Sequence, residues 1–325
     1  MEIQKKIFEI AKSEINPNLR LIDVVCEILG IGLDAAYRRL NGKKELSLSE
    51  LMKICSHFNI SIDTILNYES DNVLFRYYRL DLNNPDNYEK HLDELAKLYE
   101  RVIKSKFKEI LMTAQDVPIF HLMQFVELTF FKFYSWNQSI CGERISYEKF
   151  ISMLDRDKLS GYYKRIADTY KQTCSTEVWV GNTIDSILRL LDYHHDMNCF
   201  ENKEHPVLLC RQLLQLIENL EKWAENECKG ESTKKIPFSM YLSPVNLENN
   251  FIISKTDNSV ITSIKLYTIN GIFTSHSGFC EETEKWVRNA ISKSLSLSGS
   301  SERERFRFFQ QMKNKINKLK NKFEK

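Results

Sequence analysis

Only ten glycines and six prolines punctuate a chain of 325 residues, against average usages of about 7% and about 5%. A backbone with so few breakers favours long helices over a succession of short strands and tight turns. A mainly α fold is therefore expected. The 42% hydrophobic and 28% charged residues are globular values, which exclude a wholly disordered, collagen-like or supercharged chain. The length suits two or three domains of about 100–200 residues each. The most apolar stretch, 117–136, is interrupted by His121, Gln124, Glu127 and Lys132, so no segment is expected to cross a bilayer. Residues 1–6 carry no apolar export signal, and the protein is expected in the cytoplasm. Eight cysteines lie scattered without a C-x-x-C pair and read as reduced thiols in apolar helical runs. The net charge of +2 announces neither a nucleic acid nor a membrane, so any such partner must rest on local charge.

Residues 1–66 divide into five short helical segments. Ile3, Ile7, Phe8, Ile10 and Ala11 give the first one apolar face, ending before Asn16-Pro17. Leu21, Val24, Val25, Ile28 and Leu29 do the same for a second, which Gly30 stops. A third begins beside Asp34 and ends at Asn41-Gly42, a pair suited to positive φ. Ser47-Leu48-Ser49-Glu50 is a capping box that opens a fourth, and Ser61 caps a fifth over 62–68. The polar break at 69–72 sets a first domain boundary near residue 70.

Leu29-Gly30-Ile31-Gly32, then Tyr37-Arg38-Arg39-Leu40-Asn41-Gly42-Lys43-Lys44, then Leu46-Ser47-Leu48-Ser49-Glu50-Leu51 make the N-terminal fifth resemble the lambda-repressor/Cro-type (XRE family) helix-turn-helix transcriptional regulators. The twelve-residue step from Gly30 to Gly42 and the closing stretch 58–66 agree with that family. The resemblance implies a five-helix domain over 1–70 whose partner is double-stranded DNA, with the third helix entering the major groove. On that mapping Gly32, Leu33, Asp34, Ala35, Tyr37 and Arg38 face DNA, with Lys43 and Lys44 placed for phosphates. Arg38 suits a guanine, since its fork matches O6 and N7. The sequence departs from the family at Gly32, where Ser or Thr is common, at Leu33, where a polar reader is common, and at Arg39, where an apolar residue is usual and Leu40 would take its place in the core. Nine basic and nine acidic residues between 1 and 66 cancel. Affinity for DNA would thus need dimerisation or a second basic element, and a homodimer reading two half-sites is the natural form.

Apolar residues at three- and four-residue steps over 88–113, 118–137, 146–154, 162–173, 183–194 and 206–228 predict a central helical array spanning 71–234. Aromatics surround the 118–137 segment and place it at the centre of that array. After Lys234-Lys235 the period changes: 237–242, 250–256, 260–269 and 272–275 read as strands, with Asp257-Asn258 and Asn270-Gly271 as turns. This predicts a small α+β region over 235–325 with an antiparallel β-meander, followed by helices over 281–293 and from Glu302 onward. The stretch 301–325 holds nine Lys or Arg against three Glu, with Phe308, Phe309, Met312, Ile316, Leu319 and Phe323 along one side. Three arrangements fit this basic amphipathic helix: packing on a partner subunit, contacting phosphates, or a solvated tail.

The phosphate-cradle, dinucleotide, nucleophile-elbow and zincin motifs have no match in the chain. His194-His195-Asp196 with Cys199 and His205 has a spacing that could gather a metal, but adjacent helical histidines point apart and the group reads as an ordinary helix end. No catalytic residue, metal or cofactor is expected, and the chain is not read as an enzyme. The expected function is that of a sequence-specific transcriptional regulator of bacterial type, controlled by dimerisation or by an effector or protein partner at the C-terminal region. The alternative is a protein-interaction or scaffold molecule whose helix-turn-helix docks a protein partner.

Overall fold

A computed structural model describes residues 2–15, 19–58, 60, 72–77, 85–140, 144–230, 235–257, 259–266 and 270–325. It divides into two compact units, 1–74 and 75–325. The first holds α1 (Glu2–Glu14), α2 (Leu21–Leu29), α3 (Leu33–Leu40) and α4 (Leu48–His57). Ile7, Phe8 and Ala11 of α1, Val25 of α2, Ala36 of α3 and Ile54 and Cys55 of α4 form its core with Ile60. The helix expected over 62–68 lies outside the described residues.

The second unit corrects the expected fold class. Instead of a helical array beside a small meander, one nine-stranded mixed sheet runs through it, in the order β1-β8-β7-β6-β2-β3-β5-β4, with β9 also on β5. The strands are β1 (Arg76–Tyr77), β2 (Lys108–Ala114), β3 (Cys174–Trp179), β4 (Cys228–Lys229), β5 (Ile236–Leu242), β6 (Phe251–Thr256), β7 (Val260–Lys265), β8 (Gly271–Thr274) and β9 (Leu295–Ser296). β6, β7 and β8 do pair antiparallel in sequence. β5, however, pairs parallel with β3, and β3 parallel with β2, so strands from 71–234 and from 235–325 share one sheet. The Asp257-Asn258 turn falls partly outside the described residues, whereas Gly271 is not a turn residue but the first residue of β8, opposite Lys265 of β7.

The helices of this unit are α5 (Pro85–Lys104), α6 (Ile119–Leu122), α7 (Val126–Ile140), α8 (Tyr147–Ser152), α9 (Arg156–Lys171), α10 (Asp185–Asp196), α11 (Glu204–Asn226), α12 (Ser277–Ser292) and α13 (Glu302–Phe323). Alternation along β2 sorts them into two layers. Ile110, Met112 and Ala114 enter the large core built with α5 to α11 and α13. Leu111 points the other way and joins Val287 of α12. β2 and β3 are thus covered on both faces, which removes the polar/apolar alternation that reveals a strand. A run such as Lys108-Glu109-Ile110-Leu111-Met112 then reads like more helix.

The break between α5 and β2 is equally hidden, because neither Gly nor Pro makes it. Asp257, at the far end of β6, accepts the backbone N–H groups of Lys106 (2.7 Å) and Phe107 (3.1 Å), while Lys108 Nζ donates to the carbonyls of Ile103 and Ser105. A carboxylate 150 residues away in sequence therefore turns the chain.

The basic helix α13 is not a solvated tail: its apolar side packs within its own unit. Phe308, Phe309, Met312, Ile316 and Phe323 are buried in the core of its own unit. Its lysines meet acids on α10 and α11: Lys313 with Glu221, Lys315 with Asp185, and Lys322 with Asp192 and Asp196. Five buried side chains at about 1.5–3 kcal/mol each outweigh such surface pairs, worth about 0–1 kcal/mol apiece. Hydrophobic burial holds this helix, and the charges set its register.

Candidate nucleic-acid interface

The turn between α2 and α3 is made by glycine. Gly30 sits at φ 64, its N–H bonded to the Cys26 carbonyl, in a left-handed conformation that disfavours a β-carbon. Ile31 N–H bonds the same carbonyl at 3.2 Å. Gly32 then begins α3 in extended backbone and supplies no side-chain cap, so the first-turn amides of α3 have no side-chain acceptor from it.

Ala36 and Arg39 turn α3 inward. Ala36 is fully buried and Arg39 is 5% exposed, so the expected exchange of Arg39 for Leu40 in the core does not occur: Leu40 is half-buried beside it. Arg39 Nη2 donates to Glu50 Oε1 at 2.6 Å and Nη1 to the Ala35 carbonyl at 3.0 Å. The Arg39 hydrogen bond holds the Glu50 carboxyl down at about 2, helped by the Ser47 N–H. Glu50 also completes the capping box with Ser47. One carboxylate thus locks α4 to α3, a role that its place in the capping box does not reveal.

The outward face of α3 carries two rows, each four residues apart. One is apolar: Leu33 is 56% exposed and Tyr37 53% exposed. The other is charged: Asp34 and Arg38, both exposed, pair with Nη2 to Oδ2 at 2.5 Å. Ala35 is half-buried and Gly32 exposed at the helix start. Of the expected DNA-facing residues, then, Leu33, Asp34, Tyr37 and Arg38 share one face, Gly32 precedes it, and Ala35 turns partly away.

Lys43 and Lys44 are exposed in the loop after α3, and neither has an ion-pair partner among the described residues. Gln4 of α1 fixes that loop: Nε2 donates to the carbonyls of Arg39 (2.7 Å) and Lys44 (3.0 Å), and Oε1 accepts from Leu46 N–H (3.0 Å). No local pattern in the sequence distinguishes Gln4 from an ordinary surface glutamine.

Residues 15–71 match the family model of the Cro/C1-type HTH DNA-binding domain. The N-terminal unit is a Cro/C1-type DNA-binding domain. The chain matches no curated protein and no solved structure. The matched span begins after α1, whose apolar face packs in the core of the same unit and whose Gln4 braces the loop after α3.

Elsewhere the titratable groups are sealed or dispersed. Glu177, on β3, is fully buried. Its carboxylate lies 2.9 and 3.0 Å from His121 Nε2 and accepts from Trp179 Nε1 (2.7 Å) and from the Tyr170 hydroxyl. Burial would push its pKa up, but attraction to His121 and these hydrogen bonds outweigh it and hold the carboxyl below its ordinary value. Lys229 lies 3.3 Å from the centroid of the Tyr170 ring and donates to the carbonyls of Tyr170 and Thr173. The histidine group near 194 does not converge: His194 packs among Phe131, Tyr134 and Tyr193, His195 against Phe323, and His205 pairs with Glu148. Among the described residues no group of three His, Cys, Asp or Glu is placed to hold a metal, and no helix is long and apolar enough to cross a membrane.

Proposed function

We propose that this protein is a sequence-specific transcriptional regulator that binds duplex DNA as a homodimer in the bacterial cytoplasm, with α3 in the major groove. The carrying observation is the outward face of α3, with Leu33, Asp34, Tyr37 and Arg38 together on the recognition helix of a Cro/C1-type domain. Gly32 and Ala35 flank that face, and Lys43 and Lys44 stand beyond it, exposed and without an acid partner among the described residues, placed for phosphates. Arg38 reads guanine. Its exposed pair with Asp34 is worth about 0.3–0.5 kcal/mol, whereas a bidentate guanine contact discriminates by about 1–3 kcal/mol, so the guanidinium can turn to the base. The unit 75–325 contributes dimerisation or responds to an effector or protein partner. No catalytic step, metal or cofactor belongs to this reading.

Selection of bound sites from random duplex DNA by the full chain tests the proposal, with affinity for the selected site then followed against salt. The expected result is an enriched palindrome with half-site centres about 34 Å apart and a steep salt slope. Arg38→Ala should cost about 1–3 kcal/mol and relax preference at one base pair. Failure to enrich any sequence overturns the proposal.

A further inference from the structure

The two rows on α3 differ in what they ask of a partner. The charged row is internally neutral, since Asp34 and Arg38 satisfy one another. The apolar row has no such partner: Leu33 and Tyr37 hold more than half of their surface in water on the face that a recognition helix turns to base edges. Scattered exposed apolar residues need no explanation, but these two stand one helical turn apart, in the first five residues of α3, on the segment that reaches furthest into the groove. The apolar group that a major groove offers is the C5-methyl of thymine.

We infer that Leu33 and Tyr37 read thymine methyl groups, so that the bound half-site carries A·T pairs flanking the pair addressed by Arg38. This rests on the DNA-binding reading above and deepens it. Burying one methyl against Leu33 or Tyr37 removes about as much apolar surface as one methylene, which corresponds to about a fourfold change in affinity.

Replacing each thymine of the selected site by uracil, one at a time, removes the methyl and leaves Watson–Crick pairing intact. At one or two positions per half-site, affinity should fall about fourfold. In Leu33→Ala and Tyr37→Ala variants, each of these penalties should shrink to less than about twofold at the position facing the truncated side chain. Leu48 and Met52 repeat the same exposed spacing on α4, 71% and 59% exposed, a helix that this docking leaves out of the groove. Leu48→Ala should therefore keep every uracil penalty and serves as the control. All three substitutions are at exposed positions, and an unchanged thermal midpoint verifies folding. A selected half-site without thymine, uracil replacement without effect, or penalties that persist in both α3 variants would overturn the inference while leaving DNA binding intact. Absence of any selected site would instead overturn the reading on which it rests.

Discussion

The two units of this protein are bounded by different kinds of information. In the N-terminal unit each described helix end near the interface is set within a few residues: Gly30 at positive φ, Gly42 at φ 69, and Ser47 with Glu50 in a capping box. In the larger unit the decisive contacts are distant in sequence. Asp257 ends α5, His121 meets Glu177, and one oxygen of Asp116 takes both Lys132 Nζ and Lys265 Nζ. Burial would raise the Asp116 carboxyl, yet the two ammonium charges hold it at about 2. Local signals suffice for a small module of helices, whereas a sheet needs partners brought from far along the chain.

The largest test of this contrast is Glu177→Ala. It leaves His121, Tyr170 and Trp179 with buried groups that lose their acceptor, and should destabilise the larger unit by about 3–5 kcal/mol. Unfolding followed by Trp fluorescence reports on that unit, since all four tryptophans lie in it. An unmoved midpoint would mean that the cluster is not structural.

Acid should separate the units next. His194 is buried and neutral, and desolvation lowers its pKa from 6.5 to about 4. A base whose folded pKa is depressed stabilises the fold fully above its unfolded value, and the contribution is lost as pH falls from 6.5 toward 4. Stability of the larger unit should drop there by up to about 1.4 kcal/mol per pH unit. His194→Phe, which packs among the same rings without titrating, should remove its share of that slope and leave the share of His91, which burial likewise lowers to about 4. An equally steep slope in the variant would reject the assignment.

The smallest effects compare one local with one distant terminator. Ser47→Ala removes the side-chain half of the α4 cap and should cost about 1 kcal/mol, confined to the first unit. Asp257→Ala removes the acceptor for two exposed N–H groups and should cost about 1–2 kcal/mol in the second. Hydrogen exchange would report the first at α4 and the second at Lys106 and Phe107. Protection lost in the same unit for both variants would break the comparison.

The DNA-binding domain was legible because its signals are short: a glycine, a turn, a capping box at set steps. The family resemblance implied which residues of α3 turn outward, and Leu33, Asp34, Tyr37 and Arg38 share an exposed face. The inward fate of Arg39 was not legible, since an arginine enters a core only where a carboxylate such as Glu50 waits. The sheet was missed for a related reason. β2 and β3 gain their partners only when helices cover both faces, and two-sided burial erases the period by which a strand is recognised.

The sequence by itself determined that a helix-turn-helix occupies the N-terminus and that β6, β7 and β8 follow one another as antiparallel neighbours. Tertiary structure alone decided that β5 leaves that meander to pair with β3, that α5 stops at Asp257, and that the basic helix α13 belongs to its own chain. The helix ends of the N-terminal unit are completed by neighbours in sequence, while the end of α5, the strands, the buried charges and the amphipathic helix α13 are completed by groups whose proximity exists only after folding.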